Sequence, residues 1–324
     1  MGKHLPYSTP QIDFAVDYAI EHGIPHYLEP ETGFFCALNF PSGNHIIFGS
    51  DFGLNTTTAQ RLATDKFFTE RLLLRERLAV VKSAFIKNEH DLLAHLPFAK
   101  YPAIIKPNNA SNGEEIYKVS NESEAKQAFA LAATIYPHCL FQEYIDENEY
   151  RLFVFDGHLQ FSYRRRHFEV IGDSRQSIAD WINQKNAGRT PRQQISQSDN
   201  RLLFNLKSQG LDLQSVPELG KTVRLFHNAN LKSGGEWAIV DDVSGYFADI
   251  AIRACRVTGL RIGAIDLFAG DISAADQSYW INEVNGNPGV QYFDYSSAPC
   301  RRYFTEVLDK IVRHYTTLPH ATVL

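Results

Sequence analysis

The chain of 324 residues reads as an α+β protein. Three observations carry that reading. Residues 263–289 hold two apolar runs, GAIDLF and YWINEVNGNPG, each interrupted by acids and joined by the polar turn 271–277. Such runs predict neighbouring buried strands. The stretch EYRLFVFDGHLQFSYRRRHFEVIGD alternates as an antiparallel strand pair turning at Asp156-Gly157. Between such runs lie amphipathic stretches, among them residues 246–258 with Phe247, Ile250, Ala251 and Ala254 on one face.

Composition narrows the class. At 44% hydrophobic and 21% charged, the chain has material for a sizeable core in one large or two smaller domains. A formal net charge of −5 supplies no basic field for nucleic acid. No apolar run approaches the ~18 residues of a membrane span. The start MGKHLPYSTP lacks a signal peptide's apolar core, and Pro6 sits where a myristoylation signal has Ser or Thr. Cys36, Cys139, Cys255 and Cys300 are scattered without a C-x-x-C, which reads as reduced thiols in a cytoplasmic protein.

In chain order, residues 11–21 carry Ile12, Val16 and Ala19 or Ile20 on one helical face, and Gly23 stops that helix. Apolar runs at 33–40 and 45–48 flank the turn Pro41-Ser42-Gly43-Asn44 as a hairpin, giving a short N-terminal α/β segment. Thr64 is the expected N-cap of the helix TDKFFTERLLLRERL, with Asp65 at its positive end. Taken alone, Lys66 in its first turn reads as a solvated surface lysine. A helix follows at 88–96. The strand YPAIIKP ends at Lys106, where a lysine neutralises phosphate as a point charge. The next loop, NNASNGEEIYKV, has small residues Ala110, Ser111 and Gly113 that let backbone N–H groups approach phosphate oxygens; a plain turn is the other reading. Neither a P-loop nor a G-x-G-x-x-G is present.

Ser120 or Asn121 caps a helix to about Tyr136, and CLFQEYI is an apolar strand leading into the alternating pair. Arg164, Arg165 and Arg166 read either as a charged sheet edge or as a grip on a carboxylate or phosphate. The polar stretch 186–200 is a loop or lid, and residues 202–206 resume a helix that ends at Gly210. His227 reads as a satisfied structural histidine. A terminal helix, 301–315, presents Tyr303, Val307 and Ile311.

Chemistry concentrates in the strand pair described first. Asp266 stands between Ile265 and Leu267, and an ionised acid on a buried strand needs a partner. Glu283 and Asn285 are two apart and so share a face. With Asp266 they form an oxygen-rich cup of the kind hard cations occupy; a salt-bridged core acid beside an Asn-Gly-Asn-Pro turn is the alternative.

Asp, then Glu-x-Asn followed by Pro-Gly, resembles the metal-binding end of the ATP-grasp superfamily. The pattern GAIDLF…DIS…YWINEVNGNPGV is similar to the ATP-grasp domains of cyanophycin synthetases and bifunctional glutathione synthetases, and more distantly to D-alanine–D-alanine ligases. The resemblance runs from about Gly23 to Pro299 in sequence order. It implies two subdomains gripping ATP between antiparallel sheets, at 61–145 and 146–324, behind an N-terminal segment at 1–60. It implies that Lys66 and Lys106 reach the phosphates and that the loop with Ser111 and Gly113 covers them. Gln142, Glu143, Tyr144 and Ile145 become the hinge. Gln142 takes the adenine-acid position, Tyr144 and Ile145 the backbone positions, and Glu149 the ribose position. Gln142 stands where the family usually has glutamate, and its carbonyl still accepts the amine bond. Arg151 matches the family's E-Y-R. Asp266, Glu283 and Asn285 become the Mg²⁺ ligands, with Mn²⁺ as a substitute.

NANLKSGGE is similar to the family's N-x-S-T-G-G stretch, which gives Arg224 and Asn230 the task of steadying the intermediate; Lys232 and Glu236 depart from the pattern. The implied reaction joins a carboxylate to an amine, from amino acids or short peptides, through an acyl phosphate. The additional ligase domains of the relatives do not fit in 324 residues, so the expectation is a free-standing ligase, with a homodimer as the candidate assembly. The alternatives are a phosphotransferase and a nucleotide-binding regulatory protein.

Overall fold

The computed structural model describes residues 7–190, 193–230, 233–275, 277–290 and 297–317. Thr9 accepts a hydrogen bond from the Ile12 amide, Pro10 presets the first turn, and α1 (Pro10–Glu21) begins there. β1 (His26–Leu28), β2 (Phe35–Phe40) and β3 (Gly43–Phe48) follow as a meander in the order β1-β2-β3. Phe40 pairs with Gly43 across a two-residue turn, so this N-terminal sheet is antiparallel throughout.

Thr64 does not open the next helix. It ends α2 (Thr57–Thr64), where its hydroxyl donates to the Gln60 carbonyl at 3.0 Å. Asp65 caps α3 (Lys66–Arg75) by accepting from the Phe68 N–H at 3.0 Å. A carboxylate is the stronger acceptor for a helix N-terminus, and it takes the cap from its neighbour.

β4 (Ser83–Ile86), α4 (Glu89–His95), β5 (Ala103–Pro107), β6 (Tyr117–Val119), α5 (Glu122–Ala133) and β7 (Cys139–Glu143) build a second unit. Its antiparallel sheet has the order β4-β7-β5-β6. Asn88 and Asn121 cap the two helices, and Asn121 rather than Ser120 does so because its side chain accepts from the Glu124 N–H. Ile86, Leu92, Ile105, Val119, Phe129 and Phe141 share the core behind that sheet.

The third sheet forms from β8 (Asn148–Phe155), β9 (His158–Arg166), β12 (Glu236–Ile239), β13 (Ile262–Ala269) and β14 (Tyr279–Asn285), in the order β12-β9-β8-β13-β14. A small module of β10 (Glu169–Ile171), α6 (Ile178–Asn186), α7 (Asn200–Ser208) and β11 (Thr222–Arg224) is inserted between β9 and β12, with its own core around Val170, Ile182, Leu202 and Val223. α8 (Gly245–Thr258) covers one face of the third sheet, where Leu152, Ile265, Leu267, Ile281 and Val284 meet Phe247 and Ile250. On the other face Phe153, Phe161, Tyr163 and Ala264 pack under α1 and α9 (Ala298–Thr317).

That second face is covered over only part of its length. Its remaining residues, Glu149, Arg151, Arg165 and Asp266, turn toward the second sheet. The two sheets meet where residue Val80 pairs in parallel with Ile281. There the Val81 N–H donates to the Ile281 carbonyl and the Ile281 N–H to the Ala79 carbonyl, both at 3.0 Å. Among the described residues no helix is long and apolar enough to cross a membrane. All four cysteines are buried, and burial pushes the Cys36 thiol up to about 11.

Candidate active site

Between the two larger sheets lies a cavity of about 880 Å³. It gathers Lys66, Lys106, Ser111, Gly113, Gln142, Glu143, Tyr144, Ile145, Glu149, Arg224, Asn230, Glu283 and Asn285. These residues come from segments spread over more than half the chain, and antiparallel pairing brings them together. Asp266, the remaining predicted site residue, is fully buried just behind the wall.

Register explains the charged floor. Arg151 lies directly opposite Asp266, and Asp266 directly opposite Glu283. One rank along, Glu149 faces Arg165. Like charges opposed across strands repel, so the two arginines are required. Arg151 grips both Asp266 oxygens, at 2.5 and 2.6 Å, and stands 3.6 Å from Glu283. Arg165 bridges the ranks, 2.5 Å from Glu149 and 3.2 Å from Asp266. Burial pushes the Asp266 carboxyl up against the pull of Arg151 and Arg165. Against its own burial, Glu283 is held well below the usual carboxylate range by Lys66, a hydrogen bond with Asp266, and Arg151.

The donor set fits a hard cation. Asn285 Nδ2 is 3.2 Å from Glu283 Oε1 and 3.5 Å from Asp266 Oδ2, so two carboxylates and an amide have converged. Among the described residues no group of three His, Cys, Asp or Glu side chains is placed to hold a metal, so a cation held by Asp266 and Glu283 would draw on the Asn285 amide oxygen as well. Asp266 serves two tasks at once, as partner of the arginines and as member of this trio.

Both lysines are anchored. Lys66 Nζ donates to the Ala110 carbonyl at 2.6 Å and lies 3.7 Å from Glu283. Its position is no solvated surface, since the side chain is only 12% exposed. Lys106 Nζ donates to Asn282 Oδ1 at 2.8 Å across the gap between the sheets. The loop after Lys106 is held at several points. Asn108 Oδ1 accepts from the Phe67 N–H, and the Gly113 carbonyl accepts from Arg201 and from Asn228 Nδ2. Gly113 has φ +70°, and a Cβ there would meet the Asn228 side chain at 2.8 Å.

At the hinge, Gln142 Nε2 donates to the Val81 carbonyl at 3.2 Å, and Tyr144 and Ile145 lie just past the end of β7. Arg224 lines the same cavity and reaches the hinge. β11 pairs with β10 so that Arg224 faces Glu169. The guanidinium binds that carboxylate at 2.9 Å and approaches the Tyr144 hydroxyl at 3.4 Å. His227 stands edge-on to Tyr144 with a buried Nδ1 that has no hydrogen-bond partner among the described residues, so it is not the satisfied histidine expected. Burial, then Lys118 and Arg224, push its pKa down to about 3, which leaves the ring neutral. The Asn230 carbonyl accepts from the Ser233 and Gly235 amides at the cavity's far wall; Lys232 lies outside the described residues. Of the three arginines in a row, Arg164 and Arg165 are half-buried and Arg166 is exposed.

The sequence reading missed Asn282, Arg201 and Asn228, and it left the arginine run open between a sheet edge and a grip on a carboxylate or phosphate. Arg165 alone had a signal: its parity with Tyr163 places it on the inward face of β9.

Two sheets closing on a cavity lined by a hinge, two anchored lysines, a carboxylate and an amide, with a second carboxylate just behind its wall, define an ATP-grasp protein. More narrowly, the chain carries a RimK-like ATP-grasp domain, which residues 63–203 match. Over 239 residues the chain is 30% identical to the glutathione biosynthesis bifunctional protein GshAB of Enterococcus faecalis, covering 69% of this chain and 31% of that protein. Over 293 residues it is 26% identical to the cyanophycin synthetase of Trichormus variabilis, covering 87% and 32%. A bifunctional glutathione synthetase from Pasteurella multocida shares the fold, with a TM-score of 0.59 at 20% identity over 96% of this chain and 45% of that one. The chain spans about a third of the length of these curated relatives.

Proposed function

We propose that the chain is an ATP-dependent, ADP-forming ligase that joins a carboxylate to an amine through an acyl phosphate, acting on amino acids or short peptides in the cytoplasm. The observation that carries this reading is the convergence of both lysines, the hinge, Glu283 and Asn285 on one cavity, with Asp266 just behind its wall. In this reading the hinge 142–145 seats the adenine, with Gln142 in place of an acid, and Glu149 receives the ribose once Arg165 shares it. The grip lies between the units at 61–145 and 146–324.

Asp266, Glu283 and Asn285 would hold Mg²⁺, or Mn²⁺ in its place, and such an ion neutralises phosphate oxygens in phosphoryl transfer. Lys66 and Lys106 offset the charge that develops on the transferred phosphoryl group, and both act from fixed anchors. The substrate carboxylate attacks that group, ADP departs, and the amine then displaces phosphate from the acyl phosphate. Asn230 and the loop 108–114 close the cavity over the labile intermediate and exclude water. Arg224, held by Glu169, braces the hinge through Tyr144. No nucleophilic side chain is required.

The test is a screen of amino acids and dipeptides with MgATP and hydroxylamine in place of the amine. The expected result is a hydroxamate with one ADP per product. A stable phosphorylated acceptor would replace the proposal with a phosphotransferase. AMP as the nucleotide product would overturn the mechanism, and binding without turnover would point to a regulatory protein.

A further inference from the structure

The strand that carries Glu283 is irregular at one place. Asp266 pairs with Glu283, but Leu267 pairs with Ile281, so Asn282 has no partner on β13 and is the extra residue of a β-bulge. The effect on side-chain direction is visible in the burial. Ile281 and Val284 both enter the apolar core although they are three apart and not two. Asn282 and Glu283, adjacent in sequence, therefore both line the cavity. In a regular strand Asn282 would point to the core face; the bulge re-aims it.

What it is aimed at is Lys106 Nζ, 2.8 Å away and on the other sheet. An ammonium has three donors and no acceptor of its own, and Lys106 is only 3% exposed. A carboxylate at position 282 would anchor it but cancel its charge and add a third acid beside Asp266 and Glu283. An amide oxygen anchors it and leaves the charge uncancelled. The anchor itself is immobile, because the neighbouring Ile281 is fixed by two backbone bonds at the junction of the sheets.

We infer that Asn282 is a positioning residue for Lys106: the bulge presents its amide oxygen across the cleft so that the lysine points its charge at the phosphates of a bound nucleotide. The inference rests on the nucleotide-binding part of the function proposed above. Calorimetry with Mg²⁺ and a non-hydrolysable ATP analogue tests it on the whole chain. Lys106→Ala and Asn282→Leu are each expected to weaken binding by roughly ten- to a hundredfold, and the double variant to bind no worse than Lys106→Ala alone. Asn282→Gln, which keeps an amide acceptor, is expected to recover most of the loss. In turnover, Asn282→Leu should lower kcat more than it raises KM. Should Asn282→Leu not fold, Asn282→Ser removes the same acceptor with less disturbance. Losses that simply multiply, or unaltered affinity in either variant, would overturn the inference alone. No binding by the unaltered chain would overturn the nucleotide reading and the inference with it.

Discussion

Lys106 concentrates the energetics of the site in one side chain. Burial, then the neighbouring Lys66, lower its pKa from 10.5 to about 8, while Glu283, Glu149 and Glu70 pull the other way. Two opposite pH effects follow. As pH rises through about 8 the ammonium is lost, so affinity for an ATP analogue should fall by up to tenfold per unit; a flat profile from pH 7 to 9 by calorimetry would count against the assignment. Between about 8 and 10.5 the unfolded chain holds a proton that the folded chain has lost, so Lys106 by itself makes stability rise with pH over that window. Lys106→Ala should cost about 1–3 kcal/mol of nucleotide binding, the range of a charged hydrogen bond. Glu283→Gln should keep the melting temperature of the free protein close to that of the parent and lose the added stabilisation that Mg²⁺ with nucleotide confers. A mutant still stabilised by MgATP as the parent is would remove Glu283 from the metal trio. These residues were legible because each marks a distinctive run: a lysine closing I-I-K-P, an acid inside GAIDLF. Asn282 was not, and Arg165 only as one of a run, because what they touch depends on cross-strand register. Local sequence does not encode which residue of β13 stands opposite which residue of β14.

At the scale of elements, local signals located a helix well where a cap competes with nothing, as at Asn88, and left the cap open between Ser120 and Asn121. They failed at Thr64 and Asp65, where the folded geometry decides which acceptor reaches the open amides. Arg224 shows the same limit on a strand: its pairing with Glu169 comes from the β10–β11 ladder, two short strands separated by fifty residues of helix and loop. That module depends on close backbone approach at Gly172. A Cβ there would fall 2.1 Å from the Glu218 carbonyl oxygen and 2.6 Å from that of Pro217. Gly172→Ala should therefore destabilise the protein by about 1–3 kcal/mol or more, as overpacking does, visible as a lower melting temperature. An unchanged melt would mean that the 217–221 loop yields freely. The loop carrying Gly113 predicts a different outcome. Gly113→Ala meets a side chain, Asn228, and a left-handed backbone that costs an alanine about 1 kcal/mol, so nucleotide affinity should suffer more than global stability.

On the scale of the whole molecule, the charged floor and Lys106 belong to different sheets, and function requires that the sheets close on the same ligand. The α1–β3 segment and α9 cover part of the third sheet's face, which leaves the rest as the cavity floor. The ligase account makes its sharpest demand on the path of one oxygen atom. If a substrate carboxylate attacks the terminal phosphorus of ATP and the amine later expels phosphate, an oxygen of that carboxylate must leave with the phosphate. An acid found active in the hydroxamate screen, labelled with ¹⁸O in its carboxylate, should be turned over with MgATP and its amine partner, and the inorganic phosphate examined by mass spectrometry. The account predicts one ¹⁸O in each phosphate released and ADP as the nucleotide product. Unlabelled phosphate, or label in AMP, would contradict it.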